Sequence, residues 1–484
     1  MSWLWVALAW GAPTDAVQLC VTVRTRWADA ELGDFWTDDS VPKPARGLHL
    51  SIEGAEGRRR SVVLSDDTGC AEVPLPTPPV RITAHSRITV QGVDAVASPD
   101  HRWREGVAIP VRAKAPPVTE AALTWTVDGV GDQALSLEIP SDQVWQALAA
   151  TGFLLSRSDF HLNEPAPVPC CALKSGAQRR PDGTCSDRAA VLEPVRPPIV
   201  LFTGEAPGVR SCGRSGPHGQ LAIQFPDGSS VDSHPAVHVS CRRKRILAHE
   251  LGHVIAAMRV GARERRSKEA PVDGCVANFD GKRAPYTPGD SDHQRSRGNL
   301  SKEYTSEAMK EGWAEFVGIW AWNDPTERDC DYDTTSDAYD FDLDRTMDSV
   351  DGVARLSCLG WPDPAAPKRP APGGWLGEAV DQGFGPGWGF DEKCHASRFE
   401  ANRSTVFDVG TMFWSLAAHP QRPVPAAELL DAYVGACPDT WAPRDACKSP
   451  EELPAARLRD RLRRIRPAAA EAVDRIQRGA LRCE

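Results

Sequence analysis

Residues 246–258, ILAHELGHVIAAM, constrain the fold more than any other stretch of the chain. On a helix turning about 100° per residue, Leu247, Leu251, Val254, Ile255 and Met258 fall within roughly one third of the circumference. That stripe requires an apolar neighbour. His249 and His253 leave from the opposite side and, being four residues apart, are separated by only about 40° around the axis. The sequence therefore predicts a helix over about 242–259, led in by a short strand, AVHVS (236–240), with one buried face and a pair of imidazoles on the other.

Two imidazoles at positions i and i+4 can converge on one divalent ion. Glu250 stands beside the first histidine and to one side of the pair, where it can take a proton from a metal-activated water without binding the metal. HELGH fits the HExxH pattern of zinc metallopeptidases. A tetrahedral ion needs a third protein ligand. The HExxHxxGxxH pattern, which supplies a third histidine, is excluded, because residue 256 is Ala and residue 259 is Arg. A carboxylate from a second helix is the alternative. Residues 304–322, YTSEAMKEGWAEFVGIWAW, predict that helix. Met309, Trp313, Phe316, Val317 and Trp320 form its apolar side. Glu307, Glu311 and Glu315 line the other side, among the small residues Ala308, Ala314, Gly318 and Ala321. Such a border lets another helix approach closely, and each of the three carboxylates is a candidate oxygen ligand.

HELGH followed by EGWAEF resembles the gluzincin metallopeptidases, in which a Glu of an E-G-x-A-x-F/Y-like helix completes a zinc site. The resemblance implies a zincin-like domain, one Zn2+ held by His249, His253 and Glu311, and Glu250 as general base in peptide-bond hydrolysis. Glu315 or Glu307 is then the partner of a ligand or an alternative ligand. Residues 399–418, FEANRSTVFDVGTMFWSLAA, resemble in part the helix that follows the third ligand in some secreted bacterial zincins. Peptide hydrolysis develops an oxyanion that needs a donor besides the metal. His395, Tyr304, Arg403 and His293 are candidates, and no spacing selects among them.

The remainder of the chain frames this site. Its 484 residues exceed one compact core. Residues 16–115 read as short strands separated by Gly, Pro and Asp clusters, with DDTGC and AEVPLP resembling immunoglobulin-like or prealbumin-like modules. The expected organisation is multidomain: a signal peptide over 1–12, an all-β sandwich over 13–116, and an α+β zincin-like metallopeptidase domain over 117–484 with a mostly helical C-terminal half. Ser141 is the expected cap of a helix through DQVWQALAATGFLL. Fourteen scattered cysteines without CxxC pairs point to disulfides, with Cys20 and Cys70 placed to staple the β module, and hence to export. A net charge of −10 argues against nucleic acid as partner, and no apolar run reaches the length of a membrane span. The acidic segment 329–351 offers carboxylates for Ca2+ but lacks an EF-hand pattern. The expected function is a secreted zinc endopeptidase acting on protein or peptide, with target binding by the β module. The alternatives are a binding or adhesion protein on an inactive zincin scaffold, and a zinc hydrolase of non-peptide bonds.

Overall fold

A computed structural model describes residues 16–25, 41–65, 67–98, 120–128, 134–157, 198–203, 213–218, 223–224, 230–231, 234–239, 244–260, 273–277, 283–285, 301–322, 330–331, 355–356, 403–404, 406–417, 423–436 and 454–467, with isolated residues 160, 162 and 470. The expected signal peptide and most of the acidic segment lie outside the described residues. Among the described residues the protein is an α+β structure of mixed sheets and six helices. None of these helices is long and apolar enough to cross a membrane.

The N-terminal strands are β1 (Ala16–Thr25), β2 (Val41–Pro44), β3 (Leu48–Glu53), β4 (Arg59–Val63), β5 (Cys70–Pro74), β6 (Val80–Val90) and β7 (Val93–Ser98). They form because their side chains alternate in polarity. In β6, Val80, Ile82, Ala84, Ile88 and Val90 are buried, while Arg81, Thr83, His85, Arg87 and Thr89 face the other way. Gln91 and Gly92, both at positive φ (48° and 75°), make the two-residue turn into β7, with Val90 opposite Val93. Cys20 of β1 lies directly opposite Cys70 of β5 and is bonded to it, the Cα atoms 4.1 Å apart.

Strand pairing crosses residue 116. β8 (Ala122–Val127) pairs antiparallel with β6, and β9 (Leu135–Ile139) pairs parallel with β1. β7 pairs in parallel with β10 (Ile199–Phe202) and β10 with β14 (His234–Val239), whose outer neighbour is β11 (Gly213–His218). The resulting sheet of eight strands runs β11-β14-β10-β7-β6-β3-β4, with β8 alongside β6. Two short strands, β12 (Ile223–Gln224) and β13 (Ser230–Val231), pair with each other.

The first helix, α1 (Gln143–Arg157), is capped by Asp142 and not by the expected Ser141. The Asp142 carboxylate accepts from the Val144 N–H at 2.8 Å, the reach of an N-cap side chain to the second helical residue. Ser141 instead accepts a bond from the Gln146 side chain. α1 packs on the sheet where Gly152 comes close to Ile88 of β6.

The expected strand before HELGH is β14, and it leads into α2 (Lys244–Val260). Beyond α2 lie β15 (Asp273–Ala277), β16 (Arg283–Pro285) and β17 (Ser301–Tyr304), which runs straight into α3 (Thr305–Trp320). β18 (Cys330–Asp331) pairs with β19 (Arg355–Leu356). β20 (Arg403–Ser404) pairs with β17 just before α4 (Val406–Ala417), so this bridge brings the starts of α3 and α4 together. α5 (Ala426–Ala436) and α6 (Pro454–Ile465) complete the helices. One connected hydrophobic cluster extends from Leu19 of β1 through the sheet and α1–α5 to Leu462 of α6.

On the face of β6 away from this cluster, His49 Nε2 lies 2.7 Å from Thr89 Oγ1, and Thr89 donates to Asp94 at 2.5 Å. Arg87 donates to the other oxygen of Asp94 at 2.6 Å. Burial is the main force lowering the His49 pKa, and the Arg87 charge adds to it, so it falls to about 4. His49 is therefore neutral in the native state and more readily protonated once unfolded. Its contribution to stability is complete above the unfolded value of about 6.5 and is lost as pH falls from there to about 4. Replacing His49 by Gln, whose amide N–H also reaches Thr89, is expected to flatten the decline of melting temperature over that interval. An unchanged slope in thermal melts across this pH range would assign the decline to other groups.

Candidate metal centre

The two expected helices form close to their predicted limits, as 244–260 and 305–320. Leu247, Leu251, Val254, Ile255 and Met258 of α2 are all at most 1% exposed, as are Met309, Trp313, Phe316 and Val317 of α3. The helices meet at Gly252, the third residue of HELGH after its first histidine. A Cβ there would stand 3.0 Å from both the Ala314 Cα and the Val317 Cβ. Trp313 fixes the crossing by donating its indole N–H to the Gly252 carbonyl at 3.1 Å. The same ring is wedged among Phe316, Phe413 and Tyr433, with centroids 5.2–5.4 Å away. These contacts join α3 to α4 and α5. The buried Arg259, in the last turn of α2, pairs with Asp431 of α5. At the far end of α3, Arg157 of α1 donates to the Ala321 carbonyl at 2.9 Å.

This packing brings three predicted groups together. His249 Nε2 lies 3.5 Å from Glu311 Oε2, and His253 Nε2 lies 3.2 Å from the same oxygen. The two imidazole rings are 4.9 Å apart and nearly perpendicular. A charge-assisted N–H···O bond is about 2.7–2.9 Å. The edge of a tetrahedron of ligands about 2.1 Å from a metal is about 3.4 Å. The observed separations match the second length better than the first. His249, His253 and Glu311 form the metal-compatible group found among the described residues, with one ligand atom from each within 4.8 Å of the others. They are compatible with one metal ion.

Glu315 lies one turn beyond Glu311 and approaches the opposite nitrogen of His249, with Oε2 3.4 Å from Nδ1. Its side chain is 6% exposed, against 40% for Glu311. The reason is α4: a Cβ on Gly410 would stand 3.4 Å from the Glu315 Cβ and 3.3 Å from the Gly312 carbonyl. Small residues at 252, 312 and 410 thus let α2 and α4 close over the two sides of α3, leaving Glu311 at an open edge. Sequence reasoning placed Trp313 on the apolar side of its helix but foresaw neither its bond to Gly252 nor the close contacts at Gly252, Gly312 and Gly410. A glycine inside a strongly amphipathic helix was the available signal, since it weakens the helix by about 1 kcal/mol unless a neighbour needs the space.

The site is tuned for positive charge. Burial works against the imidazolium of His249, but the adjacent carboxylates of Glu311 and Glu315, with the charge of Glu250, outweigh it, and its pKa rises to about 10. Burial likewise opposes protonation of His253, and the adjacent Glu311 carboxylate overcomes it. The carboxyl of Glu311, which burial alone would push up, is held well below the ordinary carboxylate range by the two imidazoles. A divalent cation entering here replaces imidazole protons, so its binding releases them.

The other predicted residues are placed as follows. Glu250 is half-buried on α2, and its charge acts on both histidines. Glu307 is on α3 one turn before Glu311, with its side chain outside the described residues. Tyr304 ends β17 directly opposite Arg403 of β20. His395 and His293 lie outside the described residues, as does the candidate Ca2+ segment apart from Cys330 and Asp331. Compared with protein-family models, curated proteins and solved structures, the chain matches none.

Replacing Gly252 by Ala would gain about 1 kcal/mol of helix propensity but overfill the crossing at a cost of about 1–3 kcal/mol. The expected net result is a loss of about 1 kcal/mol in urea unfolding. Metal affinity should weaken further, because separating the helices draws Glu311 away from the histidines. A variant as stable as the parent and with the same metal affinity would show that the crossing is not tight.

Proposed function

We propose that the protein is an exported zinc-dependent peptidase of gluzincin type. The observation that carries this reading is the meeting of an HExxH helix with a carboxylate from a second helix at metal-ligand spacing, 3.2 and 3.5 Å from the two histidine nitrogens. His249, His253 and Glu311 would hold the ion. When bound, Zn2+ supplies Lewis acidity and acidifies water in contact with it. Nitrogen and oxygen donors in a set of three, with one open edge, suit zinc in a catalytic rather than a structural site. The bond between Cys20 and Cys70 supports export, since such bonds persist in oxidising compartments.

The roles of the side chains follow from their places. Glu315 holds the Nδ1 side of His249, which orients the ring and leaves Nε2 toward Glu311. Glu250 sits next to His249 in the chain and is only half-buried, so water can reach its carboxylate. It takes a proton from the attacking water and returns it to the leaving amine. Tyr304, at the joint between β17 and α3, and His395 are the proposed sources of the second oxyanion donor. In the finer layout, the N-terminal strands, which share their sheets with later strands across residue 116, bind the target. Calcium at 329–351 is a further proposal.

The purified protein is expected to contain about one zinc per chain and to cleave unfolded protein or a peptide library. Glu250→Gln should keep the zinc and lose activity by about 10²–10⁴-fold. Cleavage persisting at the parental rate in that variant would sink the mechanism. In a second measurement, Glu315→Gln should weaken zinc affinity by about 10–100-fold, read by competition with a chelator. Glu311→Ala should abolish stoichiometric zinc. If Glu315→Ala abolishes it and Glu311→Ala does not, the assignment of ligand and partner is reversed.

A further inference from the structure

A second cluster of reactive side chains lies on the sheet, on the face of β3 and β6 opposite the hydrophobic cluster. Four hydroxyl residues cross this face in register: Ser61 of β4 opposite Ser51 of β3, Ser51 opposite Thr83 of β6, and Thr83 opposite Thr124 of β8. Thr83 and Thr124 are joined at 3.0 Å. Ser61, Thr124 and the neighbouring Ala122 are exposed, so the two ends of this row are open to solvent. Ser51 differs from its row: it is 6% exposed, with its hydroxyl in contact with two other side chains. Arg59 donates to Ser51 Oγ at 2.8 Å, and His85 Nε2 lies 2.7 Å from the same oxygen. The other nitrogen of His85, Nδ1, faces Glu120, with Oε2 3.9 Å away.

A guanidinium can only donate, so Arg59 takes one lone pair of Ser51 Oγ and leaves the hydroxyl proton free to be directed at His85. With the hydroxyl proton directed at His85 Nε2, the imidazole proton sits on Nδ1 and points toward Glu120. Serine, imidazole and carboxylate then stand in the order that activates a nucleophile. Burial, with the Arg59 charge second, lowers the His85 pKa and keeps the ring neutral and able to accept. Arg59 lies beside Oγ, where it can donate to an oxyanion formed on an acyl group bonded there.

We propose that Ser51, His85 and Glu120 form a nucleophilic centre, independent of the metal site, that accepts acyl groups from activated esters. Ser51 Oγ bonds to the acyl carbon as its proton passes to His85 Nε2. The ester oxygen leaves with that proton. Water, deprotonated by His85, then releases the acid and restores the serine. Glu120 steadies the imidazolium that forms in each half. None of these steps involves His249, His253 or Glu311, so the centre stands or falls separately from the peptidase reading.

The test uses the full-length protein and a fluorophosphonate probe, which transfers its phosphonyl group to an activated serine with loss of fluoride. Peptide mapping is expected to find the label on Ser51, with the same rate before and after treatment with a zinc chelator. The rate should fall on acidification as His85 takes up a proton. Ser51→Ala should abolish labelling at this peptide, and His85→Gln should slow it by about 10²-fold or more. Should Ser51→Ala fail to fold, as judged by thermal melting, the mapped site and pH profile of the parent decide the matter. Absence of label on Ser51, or an unchanged rate in folded His85→Gln, overturns the proposal.

Discussion

The contact on which the candidate metal centre depends is the near-touching of two helix backbones at Gly252 and Ala314. Only glycine and alanine at that level let α2 and α3 come close enough for one carboxylate oxygen to reach two imidazole nitrogens at 3.2 and 3.5 Å. Trp313 then does two things with one side chain. Its indole N–H closes on the Gly252 carbonyl, and its ring fills the space among α3, α4 and α5. The aromatic core and the Glu311 edge of α3 are thus opposite sides of a single helix, and the order of one sets the position of the other.

The charge in the site follows from the same geometry. Glu311 and Glu315 are successive turns of one helix, yet they meet different nitrogens of the same histidine. The difference lies in what covers each. Glu315 is shut between α2 and the Gly410 turn of α4, whereas Glu311 stays at the open edge. A buried carboxylate beside an imidazole orients it, and an accessible one beside two imidazoles attracts a cation. The sheet supplies the base for this arrangement. Its strands run continuously from β4 to β11, and the strand that ends in α2 is two places from β7. α1 rests on the sheet at Ile88 and holds the end of α3 through Arg157.

Much of this was legible because it is local. The buried stripe of α2 and the apolar side of α3 obey helical periodicity, which acts over a few residues and leaves a plain mark. β1 and β6 were legible for the same reason, through alternation. The Cys20 and Cys70 pairing was accessible as soon as both fell on strands of one small module. What escaped the reading was set by fine local competition or by distance. Asp142 takes the cap of α1 because its carboxylate is one residue nearer than the Ser141 hydroxyl, and Ser141 is engaged by Gln146. The apposition of Ser51, His85 and Glu120 joins β3, β6 and the approach to β8 through strand register that no single segment encodes.

The sequence alone determined the donor set: two histidines four apart on the polar side of an amphipathic helix, a glutamate between them, and a second helix carrying three carboxylates in a row. Those facts depend on spacing within one helix, where 3.6 residues per turn is the same in every fold. The tertiary structure decided which carboxylate faces which nitrogen. Glu307, Glu311 and Glu315 are equivalent on a helical wheel. They become different only when the Gly252 crossing places one turn of α3 beside both rings and when α4 closes over the next. That choice rests on where two helices touch, a long-range packing outcome between segments 58 residues apart, from His253 to Glu311.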